Sequence, residues 1–174
     1  MQANHFIKIV GHLSPRGLPP SLDLEWDPVI YQSTCSTRAT QTFQTSNGRS
    51  VKRCDGWSFR TADEIIARAN QWIHVVRVAT GRDPIFYTNE AWWRSRIGKA
   101  DRINEIKSKL VWIADYSRTG LATEYPKVPD DQVWSLWQFT DRGLLTTGSR
   151  TTAIDTSIFN GQDSDLAREL GAEP

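Results

Sequence analysis

The residues best suited to chemistry are Asp23 and Glu25. They stand two apart in residues 21–26, where Leu22 and Leu24 alternate with them at the period of a β-strand. Residues i and i+2 of a strand project from one face. The two carboxyl groups therefore share a side, with Cα atoms about 6.5 to 7 Å apart, and the leucines face the other way. Two acids crowded into a partly dry site repel each other, which raises the pKa of one and leaves the other ionised. Glycoside cleavage needs such a pair. One acid protonates the leaving oxygen, and one carboxylate supports the oxocarbenium-like transition state. A solvent-facing edge strand of alternating charge would give the same tripeptide, so the surroundings decide. Leu18, Pro19 and Pro20 make a stiff approach, and Asp27–Pro28 is expected to stop the strand. That puts the acids at a strand's carboxyl end, where barrel enzymes keep their active residues.

Later strand ends repeat the theme: Tyr87 with Asn89, Asp115 with Tyr116, Trp137 with Gln138, and then Asp155. Singly, the aromatics read as rim packing and the acids as caps. Together they read as a saccharide cleft, with ring faces for sugars and amides or carboxylates for hydroxyls. Other chemistries find less support. The chain has no Gly-x-Ser-x-Gly elbow, and His5, His12 and His74 lie in helical stretches. No metal cluster can be assembled from the spacing, no cofactor is implied, and no glycine-rich phosphate turn follows the first strand. Cys35 and Cys54, 19 apart in a polar stretch, read as a loop disulfide of an oxidising compartment or as two free thiols of a reducing one.

The elements that must position these groups follow from pattern. Residues 2–13 carry Phe6, Ile9, Val10 and Leu13 at helical spacing, ended by a Pro15–Arg16–Gly17 breaker. Residues 31–59 are a polar excursion, a hairpin with Asn47–Gly48 as its tight turn. Thr61 and Glu64 form a capping box. Ile65, Ala69, Trp72, Ile73 and Val76 then make an apolar stripe that stops at Gly81. A buried strand at 84–88, a turn or two of helix at 90–97, and a polar amphipathic helix at 102–109 come next. Strands at 110–116 and 133–139 flank a loop containing Pro126 and Pro129. A last strand covers about 152–155, and a short capped helix covers 163–170. This order predicts an α/β layer architecture with a mainly parallel sheet. About five core strands are too few for a full eight-stranded barrel.

Composition bounds the partners. The chain has 174 residues, is 39% hydrophobic and holds eight Trp, four Tyr and six Phe, enough apolar mass for a core. With 21 Lys and Arg against 20 Asp and Glu, the net charge of +1 offers no basic field for nucleic acid. No apolar run approaches the ~20 residues of a membrane span, so no membrane insertion is expected. The first residues lack the basic start and apolar centre of a signal peptide.

Five blocks, 18–26 (LPPSLDLEW), 84–88 (PIFYT), 110–116 (LVWIADY), 134–139 (WSLWQF) and 153–159 (AIDTSIF), together resemble glycoside hydrolase family 25, the Chalaropsis-type lysozymes. The resemblance implies a modified TIM-type (β/α) barrel and hydrolysis of the β-1,4 bond between N-acetylmuramic acid and N-acetylglucosamine in peptidoglycan. It implies Glu25 as general acid and Asp23 as partner carboxylate, steadying either an oxazolinium-type step or the cation directly. Asp155 matches the acidic residue of the last strand. Tyr87, Trp112, Trp137, Gln138, Asp115 and Trp26 are implied at the sugar groove, in a metal-free retaining muramidase. The excursion is similar to a cysteine-bearing insertion of some bacterial members, within a single domain at 1–174. The family's opening strands have no counterpart here. The barrel is therefore expected to be incomplete at its N-terminal side, its edge met by a homodimer or a covering segment. The implied partner is the glycan strand of peptidoglycan, reached by export to the cell wall or periplasm as a secreted enzyme, effector or endolysin. The rival expectation is a non-catalytic glycan-binding remnant, and a weaker one is a relative acting on chitin-like polymers.

Overall fold

A computed structural model describes residues 2–14, 17–30, 40–44, 47–127 and 134–170. In chain order the elements are α1 (Gln2–Val10), β1 (Ser21–Asp23), β2 (Pro28–Ile30), β3 (Thr40–Gln44), β4 (Ser50–Asp55), α2 (Ala62–Thr80), β5 (Ile85–Asn89), α3 (Glu90–Arg96), β6 (Leu110–Ala114), β7 (Leu136–Thr147), β8 (Arg150–Phe159) and α4 (Asp163–Glu169). A five-stranded sheet runs β1-β5-β6-β7-β8, with β1, β5, β6 and β7 parallel and β8 antiparallel to β7. It is the α/β half-barrel that the sequence predicts, with β1 and β8 as its free edges among the described residues. A second, antiparallel sheet in the order β2-β4-β3 projects from the loop after β1.

α2 shows why the core forms where it does. Thr61 Oγ1 accepts the Glu64 N–H at 3.2 Å and Glu64 accepts the Thr61 N–H at 2.9 Å, which also holds the Glu64 carboxyl below its ordinary pKa. Gly81 ends the helix at φ 68, a left-handed conformation that glycine adopts without penalty. Between these caps Ile65, Ala69, Ile73 and Val76 are buried, and the first three pack with Leu24, Phe86 and Ile113 of the sheet. Trp72 is half-buried and meets Phe6 of α1 at 5.4 Å between ring centroids.

Several expected elements differ. The first helix stops at Val10, because Gly11 takes φ 65 and bonds back to Ile7, well before Pro15. Pro28 does not end the first strand. β1 is already over at Asp23, and Pro28 opens β2 at the rim of the small sheet, where a missing N–H costs little. The expected hairpin is present as β3 and β4 about Gly48. Cys54 is buried, whereas Cys35 lies outside the described residues.

The polar helix expected at 102–109 is instead a 3-10 turn, Ala100–Glu105. Buried Ile103 within it and buried Ile106 just after it are three apart, the period of that helix, and Asn70 of α2 clasps Glu105 O and Lys107 N. The strands expected at 133–139 and 152–155 run on as one long hairpin turning at Gly148, whose outer half is exposed and gives no burial signal. α4 has acids in its first turn but no side-chain cap at Gln162.

Candidate active site

The alternation at the end of β1 is what delivers the acids. Asp23 pairs in register with Tyr87, Leu24 N–H donates to Tyr87 O at 2.9 Å, and Thr88 Oγ1 donates to Leu24 O at 2.7 Å. Leu24 is 2% exposed in the core, so its neighbours turn the other way: Glu25 is half-buried and Asp23 faces the open groove.

Register then stacks partners beside them. Tyr87 aligns with Trp112 of β6, and two residues on, Asn89, Ala114, Gln138 and Ser157 align across four strands. Asn89 Nδ2 donates to Glu25 Oε2 at 2.7 Å, and Tyr87 donates its hydroxyl proton to Gln138 Oε1 at 2.8 Å. Trp112 meets Tyr87 edge to face at 5.0 Å and donates its indole N–H to Ser157 Oγ at 3.0 Å.

Electrostatics show which charges share this space. Burial, and then Glu25, push the Asp23 carboxyl above its ordinary value. The Tyr87 phenol is pushed far up, first by burial and then by the charges of Glu25, Tyr116, Asp23 and Asp155, so it stays a donor. Tyr116 is raised by burial, then by Asp141, Asp155 and Glu25. The charges of Asp23 at the end of β1, Glu25 just past it and Asp155 of β8 thus all act on the Tyr87 phenol in the same direction. Among the described residues no group of three or more His, Cys, Asp or Glu stands ready to hold a metal ion.

The other expected groove residues also carry structural contacts. Trp137 is 2% exposed, donates its indole N–H to Asp115 O at 2.7 Å and packs on Trp134 and Phe139, so it has no free face for a sugar. Asp115 Oδ2 accepts the Lys127 N–H at 2.6 Å and closes a loop. Trp26 packs against the core cluster and carries the Arg96 guanidinium over its ring at 5.3 Å. The three histidines are exposed on the surface. Sequence reasoning missed Asp141, Ser157 and above all Asp55, which Asp55–Gly56–Trp57, a cap-like triplet before an aromatic, could have signalled.

A cavity of about 1140 Å³ beside β1 is lined by residues that include Asp23, Glu25, Trp26, Trp57, Phe59 and Trp72. The model of glycosyl hydrolases family 25 matches residues 1–147. The chain belongs to that family.

Curated relatives that it matches include the "Uncharacterized protein YegX" of Escherichia coli O157:H7, 28% identical over 108 residues, which are 61% of this chain and 34% of that protein. Its strain K12 counterpart is 29% identical over 108 residues with the same coverage. The chain thus spans about a third of the length of these relatives. Among solved structures, a family GH25 lysozyme from Aspergillus fumigatus superposes with a TM-score of 0.58 at 23% identity, covering 99% of this chain and 66% of that one. A family 25 glycosyl hydrolase from Bacillus anthracis gives 0.62 at 19%, covering 96% and 60%, and a bacterial lysozyme from Streptomyces coelicolor gives 0.61 at 20%, covering 99% and 66%. They share the fold, and each is longer than this chain.

Proposed function

We propose that this chain is a muramidase that cleaves the β-1,4 bond between N-acetylmuramic acid and N-acetylglucosamine in peptidoglycan strands. The observation that carries the reading is the Glu25 carboxyl, half-buried at the carboxyl end of a half-barrel sheet and held by the Asn89 amide at 2.7 Å, with Asp23 two residues before it. In this reading Glu25, steadied by Asn89, gives its proton to the glycosidic oxygen as the C–O bond breaks. Asp23 balances the positive charge that develops on the sugar, and Trp112 with Tyr87 forms the groove wall. The upward push falls on Asp23, whereas the family resemblance gives the proton-donating role to Glu25. An aryl glycoside of the cleaved disaccharide unit separates the two roles, because its leaving group needs no proton. Glu25→Gln should retain turnover on it, and Asp23→Asn should not.

Residues 1–174 act in this reading as one domain working at the cell wall, which the protein reaches by export or by lysis. The test is the identity of the new reducing end. Purified peptidoglycan incubated with the chain should yield fragments ending in N-acetylmuramic acid, read by mass spectrometry after borohydride reduction. Ends in N-acetylglucosamine, or cleavage of chitin polymers alone, would replace the reading. The open groove beside β1 favours one rival, a glycan-binding remnant. Binding without any new reducing ends would establish it.

A further inference from the structure

Asp55 ends β4 in the small inserted sheet, and it is 4% exposed. Its Oδ1 accepts the main-chain N–H of Asp27 at 3.1 Å and of Trp57 at 3.3 Å. Its Oδ2 accepts the indole N–H of Trp92 at 3.2 Å and the Nε–H of Arg96. A carboxylate taken out of water must have its lone pairs matched, and here the donors converge from three places. One is the chain two residues past Glu25, one is the 3-10 turn after β4, and one is α3, which contributes twice. Arg96 also lies over Trp26, the residue next to Glu25.

The same α3 aims Asn89. Asn89 caps that helix by accepting the Trp92 N–H at 2.8 Å, and its amide donates to Glu25 Oε2 at 2.7 Å. Glu25 is thus held from two sides, by its own main chain and by Asn89, and both supports run back to one buried carboxylate.

We propose that Asp55 is a positioning residue for Glu25: through the Asp27 backbone and through Trp92 and Arg96 it fixes both the strand end and the Asn89 amide that hold the Glu25 carboxyl. The proposal rests on reading Glu25 as the working acid. It makes the inserted sheet part of the machinery. A misplacement of about 1 Å in a reacting group can cost on the order of 100-fold in rate, so the anchor's effect belongs in kcat.

Asp55→Asn keeps the side chain's shape and turns an amide toward donors that need an acceptor. In folded protein, checked by circular dichroism and assayed well below its melting temperature, kcat on peptidoglycan should fall about tenfold with KM within about twofold. In an Asn89→Ala background the same change should cost less than about threefold, because one of its two routes is already cut. Trp92→Phe removes the indole donor together with part of a buried ring; in protein that circular dichroism shows to be folded it should lower kcat severalfold with KM within about twofold, and it decides the matter where Asp55→Asn does not fold. Unchanged kcat in either folded variant, or losses that multiply fully in the double variant, would overturn the positioning role. Glu25→Gln is the control: if it matches the wild type, the reading of Glu25 fails and the proposal with it. If Glu25→Gln is inactive while Asp55→Asn is normal, only the positioning role fails.

Discussion

Asp23 and Glu25 differ in their surroundings more than in their chemistry. Glu25 has an amide on its oxygen, while Asp23 has burial and a neighbouring charge that push its carboxyl upward. This has a thermodynamic sign. The folded protein keeps the Asp23 proton to a higher pH than the unfolded chain, whose value is near 3.8, so the associated stability is full below that value and is lost as pH rises through the folded one. Asp23→Asn is neutral throughout, so it should melt above the wild type near neutral pH, by an amount that solvent screening of this exposed side chain keeps small, the gap closing as pH falls toward 3.8. Thermal melts across a pH series would show it. A gap of constant size, or of opposite sign, would mean that Asp23 is not under this pressure.

The paired acids were legible because Leu22 and Leu24 mark the face that the acids leave. The groove was less so, for a reason also found in the residues. Trp137 and Gln138 are consecutive on one strand and must point to opposite faces, so both could not line one groove. Composition favours the indole, and packing selects the amide: Gln138 meets Tyr87 and Trp137 goes into the core.

At the scale of elements, α2 was legible nearly to the residue, since its cap, stripe and glycine stop all act within the chain's own neighbourhood. The β7–β8 hairpin was not. Its outer half is exposed and threonine-rich, and its pairing is set by a partner strand rather than by an apolar period. Gly143 shows how close that pairing is: an added Cβ would stand 1.9 Å from Thr156 Oγ1 and 3.1 Å from Ile154 O, beside a register irregularity. Gly143→Ala should therefore cost about 1–3 kcal/mol in urea unfolding and loosen the strand that carries Asp155. A loss below about 0.5 kcal/mol would show that the hairpin opens easily at this point. The 3-10 turn at Ala100–Glu105 was misread as helix because polar residues around two isoleucines fit either period until Asn70 fixes the tighter one.

For the whole molecule the decisive feature is that β1 is a free edge of the sheet among the described residues. The solved relatives are longer, and here the cavity beside β1 is lined in part by the half-buried Leu22, Trp57 and Trp72, next to a strand edge that is unpaired among the described residues. Such an edge invites another strand or an apolar face. Sedimentation velocity over a concentration series should show mass rising with concentration, and Phe59→Lys, which charges the cavity wall, should suppress the rise. A monomer at every concentration would mean that the edge is protected as it stands.

The central claim, that the strand-end acids cut glycan through Glu25, is met most directly by assaying wild type and Glu25→Gln side by side for reducing ends released from peptidoglycan, with glycan binding measured on both. The wild type should release new ends, the variant fewer by about 100-fold or more, and both should bind glycan equally. Equal release by the two proteins would contradict it.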